Sequence, residues 1–199
     1  MNYYFFSPKN RRSVAVACAP ENTPPAYQLV EGLLDVDALP FELTLKKLLF
    51  RSRGVVESDD LTGVQHVWCD FQPNSLAWPI MSPQLRDVID QNVTEEDAID
   101  WVKVLIRQGS MTARSYYLLR FKTREDVLNV EATVYAGSDP PFVAQPVFAA
   151  HKIAPLSVFC VPEDDWQISH GVYVSEKIKK TAKKAGLTGL NFELTTKVI

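Results

Sequence analysis

The sequence predicts an α+β fold in a single domain spanning residues 1–199. Three observations carry that expectation. Short runs of β-branched and aromatic residues recur along the chain. Two helix starts stand apart from them, at Ser82-Pro83 and Ser175-Glu176. Strands and helices follow one another without a regular βαβ rhythm, which disfavours a doubly wound sheet. The sheet is therefore expected to be mixed or antiparallel, with Ser-capped helices near 82–91 and 175–185. Any division into sub-lobes falls near 95–110.

Residues 2–6 are aromatic and short, like a first strand, and Ser7-Pro8-Lys9-Asn10 is turn chemistry. Residues 14–17 read as a second strand. Pro24-Pro25 excludes helix from the loop at 20–25. Residues 41–49 are ambiguous: Phe41, Leu43 and Leu45 alternate like a strand, while Leu45, Leu48 and Leu49 have helical spacing. A turn at Ser58-Asp59-Asp60 precedes a β-rich run at 64–71.

Pro83 suits a first helical position because it lacks the N–H that would be orphaned there. Leu85, Val88 and Ile89 follow at helical spacing, and the helix should fade near Asn92. Residues 94–98 look like another acidic N-terminal turn. Residues 101–106 and 115–121 read as a hairpin around Gly109-Ser110, although 97–108 is also readable as a helix. A strand is expected over 127–135, then a loop at Pro140-Pro141, then a short buried strand in 155–161. In the helix at 175–185, Glu176 suits the positive end of the helix dipole. Ile178, Ala182 and Ala185 form its apolar stripe, and Gly186 is the left-handed residue past its end. A closing strand is expected over 188–194.

The chain has 199 residues, 46% of them hydrophobic, enough for one substantial core or two smaller ones sharing an interface. No apolar run reaches the length that spans a bilayer. The apolar segment after Arg11-Arg12 is too short for a secretion signal and stops at Pro20. Three cysteines, Cys18, Cys69 and Cys160, are odd in number and far apart. They read as free thiols in a reducing, cytoplasmic setting.

Charge is spread unevenly. Residues 1–53 carry a net of +2, residues 54–100 a net of −9 from ten acids and one Arg, and residues 101–199 a net of +4. The acidic middle is readable either as a solvated region or as a surface facing a basic partner.

Catalytic patterns are absent from the sequence. No serine sits in a Gly-x-Ser-x-Gly turn, and no glycine-rich phosphate loop occurs. Cys69 lies three residues after His66, but a strand there would put the two on opposite faces. His66, His151 and His170 are isolated, and no cysteine pair has zinc-ligand spacing. No catalytic residue, metal ligand or cofactor is therefore expected. Lys177, Lys179, Lys180, Lys183 and Lys184 read as a solvated helix face, not a nucleic-acid contact, because no aromatic residues interleave with them. The tryptophans read as core or core edge. Trp166 is the exception, because it directly follows Glu163-Asp164-Asp165, and an aromatic beside acids suits an interface with a basic partner.

Residues 168–193 read ISHGVYVSEKIKKTAKKAGLTGLNFE: an apolar strand, a serine opening a helix, and a closing Gly-Leu-Thr-Gly-apolar-Phe. This resembles the C-terminal signature of a bacterial immunity-protein family linked to polymorphic toxin systems, long catalogued as a domain of unknown function. Tyr3-Tyr4, the WPIMSPQLRDVI segment at 78–89, Tyr116-Tyr117-Leu118-Leu119 and Asp126-Val127-Leu128 agree in order. The matching positions are strands, caps and turns, and they carry over no active site.

The resemblance implies inhibition by direct binding of a cognate toxin, and many such toxins, nucleases especially, have basic surfaces. An acidic contact would then speed association, from about 10⁵–10⁶ toward 10⁸–10⁹ M⁻¹s⁻¹ at low salt. Contact is expected through Asp59, Asp60, Glu95, Glu96, Asp97, Asp164, Asp165 and Trp166. No nucleic acid or membrane partner is expected. A small enzyme or ligand-binding domain is the alternative, and an accessory scaffold for a secretion apparatus is a third.

Overall fold

Alternation along the strands sorts the apolar side chains into three layers of core. The computed structural model describes residues 2–9, 14–52, 54–138, 142–195 and 198–199. Twelve strands occur among them: β1 (Tyr3–Pro8), β2 (Val16–Cys18), β3 (Leu43–Arg51), β4 (Gly54–Ser58), β5 (Ile80–Met81), β6 (Ile99–Arg107), β7 (Arg114–Phe121), β8 (Val134–Ala136), β9 (Phe142–Gln145), β10 (Val158–Cys160), β11 (Val172–Ser175) and β12 (Leu190–Leu194). The helices are α1 (Ala26–Leu29), α2 (Pro83–Asp90), α3 (Ala150–Ile153) and α4 (Glu176–Lys184). The fold is α+β, as the sequence predicts, and no helix in the described residues is long and apolar enough to cross a membrane.

One sheet has the antiparallel order β10-β11-β1-β12. A larger one runs β2-β3-β6-β7-β5, with β4 hairpinned onto β3 and β3 parallel to β6. A separate ribbon pairs β8 with β9. In β1, Tyr4 and Phe6 face the core between the two sheets, and Tyr3 and Phe5 face the outer side. Residues in β10 and β11 alternate in the same way: Val158, Cys160, Val172 and Val174 point inward and Phe159 and Tyr173 outward. In the larger sheet, Leu119 and Phe121 of β7 join the central core, while Tyr116 and Leu118 join a third core on the far side. Helices α2 and α4 fill the central layer through Leu85, Val88, Ile89, Ile178 and Ala182.

The hairpin reading of 101–121 holds, with Trp101 opposite Leu119 and Val104 opposite Tyr116. The ambiguous stretch at 41–49 resolves as strand β3. Residues 64–71 form no strand. Their backbone groups bond to several different segments instead of one neighbour: Ala15 N–H donates to the His66 carbonyl at 3.0 Å, the Gln72 side chain accepts from Cys69 N–H at 3.0 Å, and the Thr188 carbonyl accepts from Asp70 N–H at 3.1 Å. The strand expected over 127–135 is reduced to β8. Asn129 breaks it, accepting from Ala132 N–H with its side chain at 3.1 Å and from Thr133 N–H with its carbonyl at 2.9 Å. The strand expected to end at Phe6 runs on through Pro8, and Asn10 and Pro140-Pro141 lie outside the described residues.

The two serine-initiated helices differ. Ser82 caps α2, accepting from Leu85 N–H at 3.2 Å. Ser175 has cap backbone geometry but makes no side-chain cap bond, because its hydroxyl is fully buried at the end of β11 and finds no partner. The apolar stripe of α4 stops at Ala182, since Ala185 is exposed. Gly186 takes a left-handed φ of 68°, closing the helix as expected.

Two charged side chains tie distant segments together. Asp70 accepts from the Ser82 hydroxyl at 2.6 Å and from Thr188 N–H at 2.7 Å, so one carboxylate links the start of α2 to the turn before β12. The turn residue Gly189 has φ 73°, and a Cβ there would lie 2.5 Å from the Cys69 Cβ and 2.9 Å from the Phe71 carbonyl oxygen. The Gly-Leu-Thr-Gly signature is thus a packing and hydrogen-bonding device. Buried Arg120 pairs with Asp100 through two contacts of 2.7 Å and also donates to the carbonyls of Leu33, Leu34 and Val36. Those bonds to Asp100 hold the guanidinium above its ordinary pKa.

Candidate partner-binding site

The turn after β10 is held from below and leaves its acids outside. Arg124 Nε donates to the Pro162 carbonyl at 3.1 Å, and the Cys160 thiol donates to the Trp166 carbonyl at 3.4 Å. Ile168 is fully buried, and Trp166 is half-buried against the central core. Beyond it, Gly171 N–H donates to the Ser169 hydroxyl at 3.1 Å, and a Cβ on Gly171 would reach the Phe5 ring at 3.4 Å. A 3-10 turn, Trp166–Ile168, is fixed between these anchors. Glu163, Asp164 and Asp165 precede it, and none of the three makes an ion pair among the described residues.

Facing this turn is the β8–β9 ribbon. Two adjoining cavities of about 420 and 500 Å³ lie between ribbon and turn. They share Phe142, Val143, Glu163 and Asp164 in their linings, and the two neighbouring hollows are together called the groove. Exposed apolar residues border it: Val130 at 63% and Tyr135 at 41% beside the first cavity, and Phe142 at 59% beside both. Isolated exposed apolar residues are ordinary, but several gathered along one groove mark a contact surface. Among the described residues, five carboxylates line the groove, those of Glu125, Asp126, Glu163, Asp164 and Asp165, against the one guanidinium of Arg124. Asp126 is neutralised by Lys152 at 2.7 Å.

Of the residues expected from sequence to touch a partner, Asp164, Asp165 and Trp166 line this groove together. Asp59 and Asp60 lie elsewhere, exposed in the turn after β4, where Thr62 holds the Asp60 carboxyl below its ordinary pKa. Glu95 and Glu96 are exposed in the 3-10 turn Glu95–Asp97, and the Thr94 hydroxyl lowers the Glu96 pKa. Asp97 must be removed from the contact set. It is 2% exposed and accepts from the backbone N–H groups of Thr94, Ser157 and Val158 at 2.7, 2.6 and 2.7 Å. A carboxylate so engaged stitches the turn before β6 to the start of β10 and cannot meet a partner.

The net of −9 over residues 54–100 is therefore no measure of surface potential. Glu57 pairs with Lys46 at 2.8 Å, Asp90 accepts from Arg86 at 3.2 Å and from the Trp101 indole at 2.8 Å, and Asp70, Asp97 and Asp100 are structural. Tyr135 and Phe142 of the ribbon, and Val130 in the turn before it, escaped the sequence reading, because apolar side chains are assigned to the core by default.

The chemistry of nucleophiles is muted. Burial pushes the Cys160 thiol up to about 12, that of Cys18 to about 12 and that of Cys69 to about 11. All three stay protonated near neutrality, where the thiolate is the reactive form. The strand argument against a His66–Cys69 pair does not survive, since both side chains line a cavity of about 240 Å³ with no strand between them. The raised Cys69 pKa now argues against that pair as a nucleophile and base. Among the described residues, no group of three or more His, Cys, Asp or Glu side chains is placed to hold a metal ion. In comparisons with known proteins, no protein-family model matches the chain and no curated protein matches it.

Proposed function

We propose that this chain is a non-catalytic binding protein of the immunity type, acting in the cytoplasm to neutralise a cognate basic toxin by direct contact. The groove carries this reading. Its exposed apolar side chains lie beside the carboxylates of Glu163, Asp164 and Asp165, which form no ion pair among the described residues, and that combination favours a partner bringing both apolar and cationic groups. Further support comes from the resemblance in the residue 168–193 segment and from thiols held in their unreactive form.

The test is co-expression with the protein encoded immediately upstream, read by growth and by pull-down. Toxicity of the neighbour alone, with binding and restored growth in the pair, is the expected result. Replacing Glu163→Gln, Asp164→Asn and Asp165→Asn together should weaken rescue while the protein stays folded. A harmless neighbour that does not bind would overturn the reading.

A second reading, a small-ligand site or enzyme, draws on the same cavities, whose volumes of about 420 and 500 Å³ fall within the range of ligand pockets. It requires saturable binding of a small molecule to the isolated chain, seen as a rise in melting temperature that the three groove substitutions remove.

A further inference from the structure

The larger sheet covers its end strands but not β4. Its ends, β2 and β5, are three and two residues long, and the segment 70–75 lies against both. Ala17 N–H of β2 donates to the Pro73 carbonyl at 2.8 Å, and Gln72 N–H donates to the Ile80 carbonyl of β5 at 2.9 Å. Short, covered ends keep a sheet from pairing with another chain. β4 is five residues long, and among the described residues its backbone pairs with β3 alone.

The β3–β4 hairpin is also apolar where it is exposed. Its register sets Val55 opposite Phe50 and Val56 opposite Leu49, so the two pairs point to opposite faces. Val55 and Val56 are 53% and 51% exposed. β4 has no proline or lysine to blunt its edge, and its Glu57 carboxylate is taken by Lys46 at 2.8 Å. An isolated two-stranded hairpin is marginal in water, and added strands stabilise it.

The order of charges selects what adds to the edge. Arg51 and Arg53 precede β4 in the sequence, and Asp59 and Asp60 follow it. Neither of these acids makes an ion pair among the described residues. Antiparallel pairing of β4 with β4 of a second copy brings the start of each strand against the end of the other. Bases then meet acids at both ends, and valines meet across the middle. Parallel pairing would set like charges together at each end. Antiparallel self-pairing through β3 about Leu49 would set Lys47 against Arg51, which repel.

We propose that two copies of this chain associate edge to edge through β4, antiparallel about a two-fold axis, joining their hairpins into one four-stranded sheet. No residue of β4 lines the groove, so this contact stands apart from the toxin contact proposed above and does not depend on it.

Sedimentation velocity on the intact chain, from micromolar to submillimolar concentration, should show a monomer–dimer equilibrium. Val55→Lys and Val56→Lys should each raise the dissociation constant about tenfold, about 1.4 kcal/mol. Met111→Lys, exposed between β6 and β7, should leave it unchanged. Circular dichroism keeps loss of pairing distinct from loss of fold. Two charge reversals give the sharper test. Asp59→Arg with Asp60→Arg, and separately Arg51→Glu with Arg53→Glu, should each weaken self-association about tenfold, and an equal mixture of the two variants should dimerise as well as the unaltered chain. Rescue by mixing cannot come from misfolding. A chain that stays monomeric throughout overturns the proposal and leaves the edge to a strand from a different protein. A dimer indifferent to both lysine variants, or a mixture no tighter than either reversal alone, overturns it equally.

Discussion

Two acidic regions of this chain look alike on paper and behave oppositely in the fold. Residues 54–100 hold ten carboxylates against one arginine, and half of these carboxylates serve the molecule itself. Asp97 gathers three backbone N–H groups, Asp100 grips a buried arginine, and Asp70 joins a helix start to a closing turn. Glu163-Asp164-Asp165 is three residues long, yet none of its side chains pairs with a base among the described residues, and it lies beside exposed apolar side chains. Charge density along a sequence is therefore a poor guide to what a partner would meet. The useful quantity is charge without an internal counter-ion beside apolar surface without a cover.

The comparison breaks first at its buried side. Arg120→Ala leaves Asp100 and three carbonyls without their donor, and Asp97→Ala orphans three N–H groups. Each should cost about 3–5 kcal/mol of stability in urea unfolding, the range for breaking a buried charged pair. A loss under about 1 kcal/mol for either would mean that these acids are not structural.

On the exposed side the signature reverses. Glu163→Gln, Asp164→Asn and Asp165→Asn together should change stability by no more than about 0.5 kcal/mol. The same variant should slow association with a basic partner about tenfold at low salt, with a flatter salt dependence. Substantial unfolding by these three changes would erase the distinction between the regions.

Burial that silences charge also silences the thiols. Their pKa values rise from an ordinary 9.0 to about 11 for Cys69 and about 12 for Cys18 and Cys160. The folded chain then holds these protons more tightly than the unfolded one. The stability this contributes is complete below about pH 9 and is lost as pH climbs toward 12. Labelling by an alkylating reagent at pH 8 should be slow in the native protein and fast in denaturant, and rapid native labelling would contradict the buried-thiol geometry. The smallest effect belongs to Asp59→Asn with Asp60→Asn, which should alter neither stability nor association by more than about twofold.

Much of the scaffold was legible in the sequence. Ser82-Pro83 announced α2 because local rules suffice there: an acceptor hydroxyl, then a residue with no N–H. The β6–β7 hairpin was legible because its apolar residues repeat strongly on both sides of Gly109. Residues 64–71 misled because Val, Trp and Phe suit a strand, whereas the actual partners of that backbone come from segments far away in sequence, Ala15 and Thr188 among them. Ser175 misled for the opposite reason, since a good local cap signal was overruled by burial at the end of β11. At the site, Glu163-Asp164-Asp165-Trp166 was visible as a motif. Its apolar counterpart on the ribbon was not, because exposure is a property of the finished fold.

The most direct test of the central claim is the association rate of the upstream-encoded protein with three chains, measured from low to physiological salt. The Asp59→Asn/Asp60→Asn chain should match the unaltered one. The chain altered at Glu163, Asp164 and Asp165 should associate about tenfold more slowly at low salt. The contrary pattern, slowing by the Asp59 and Asp60 changes with the groove changes silent, would return the contact to the acidic middle and contradict the groove.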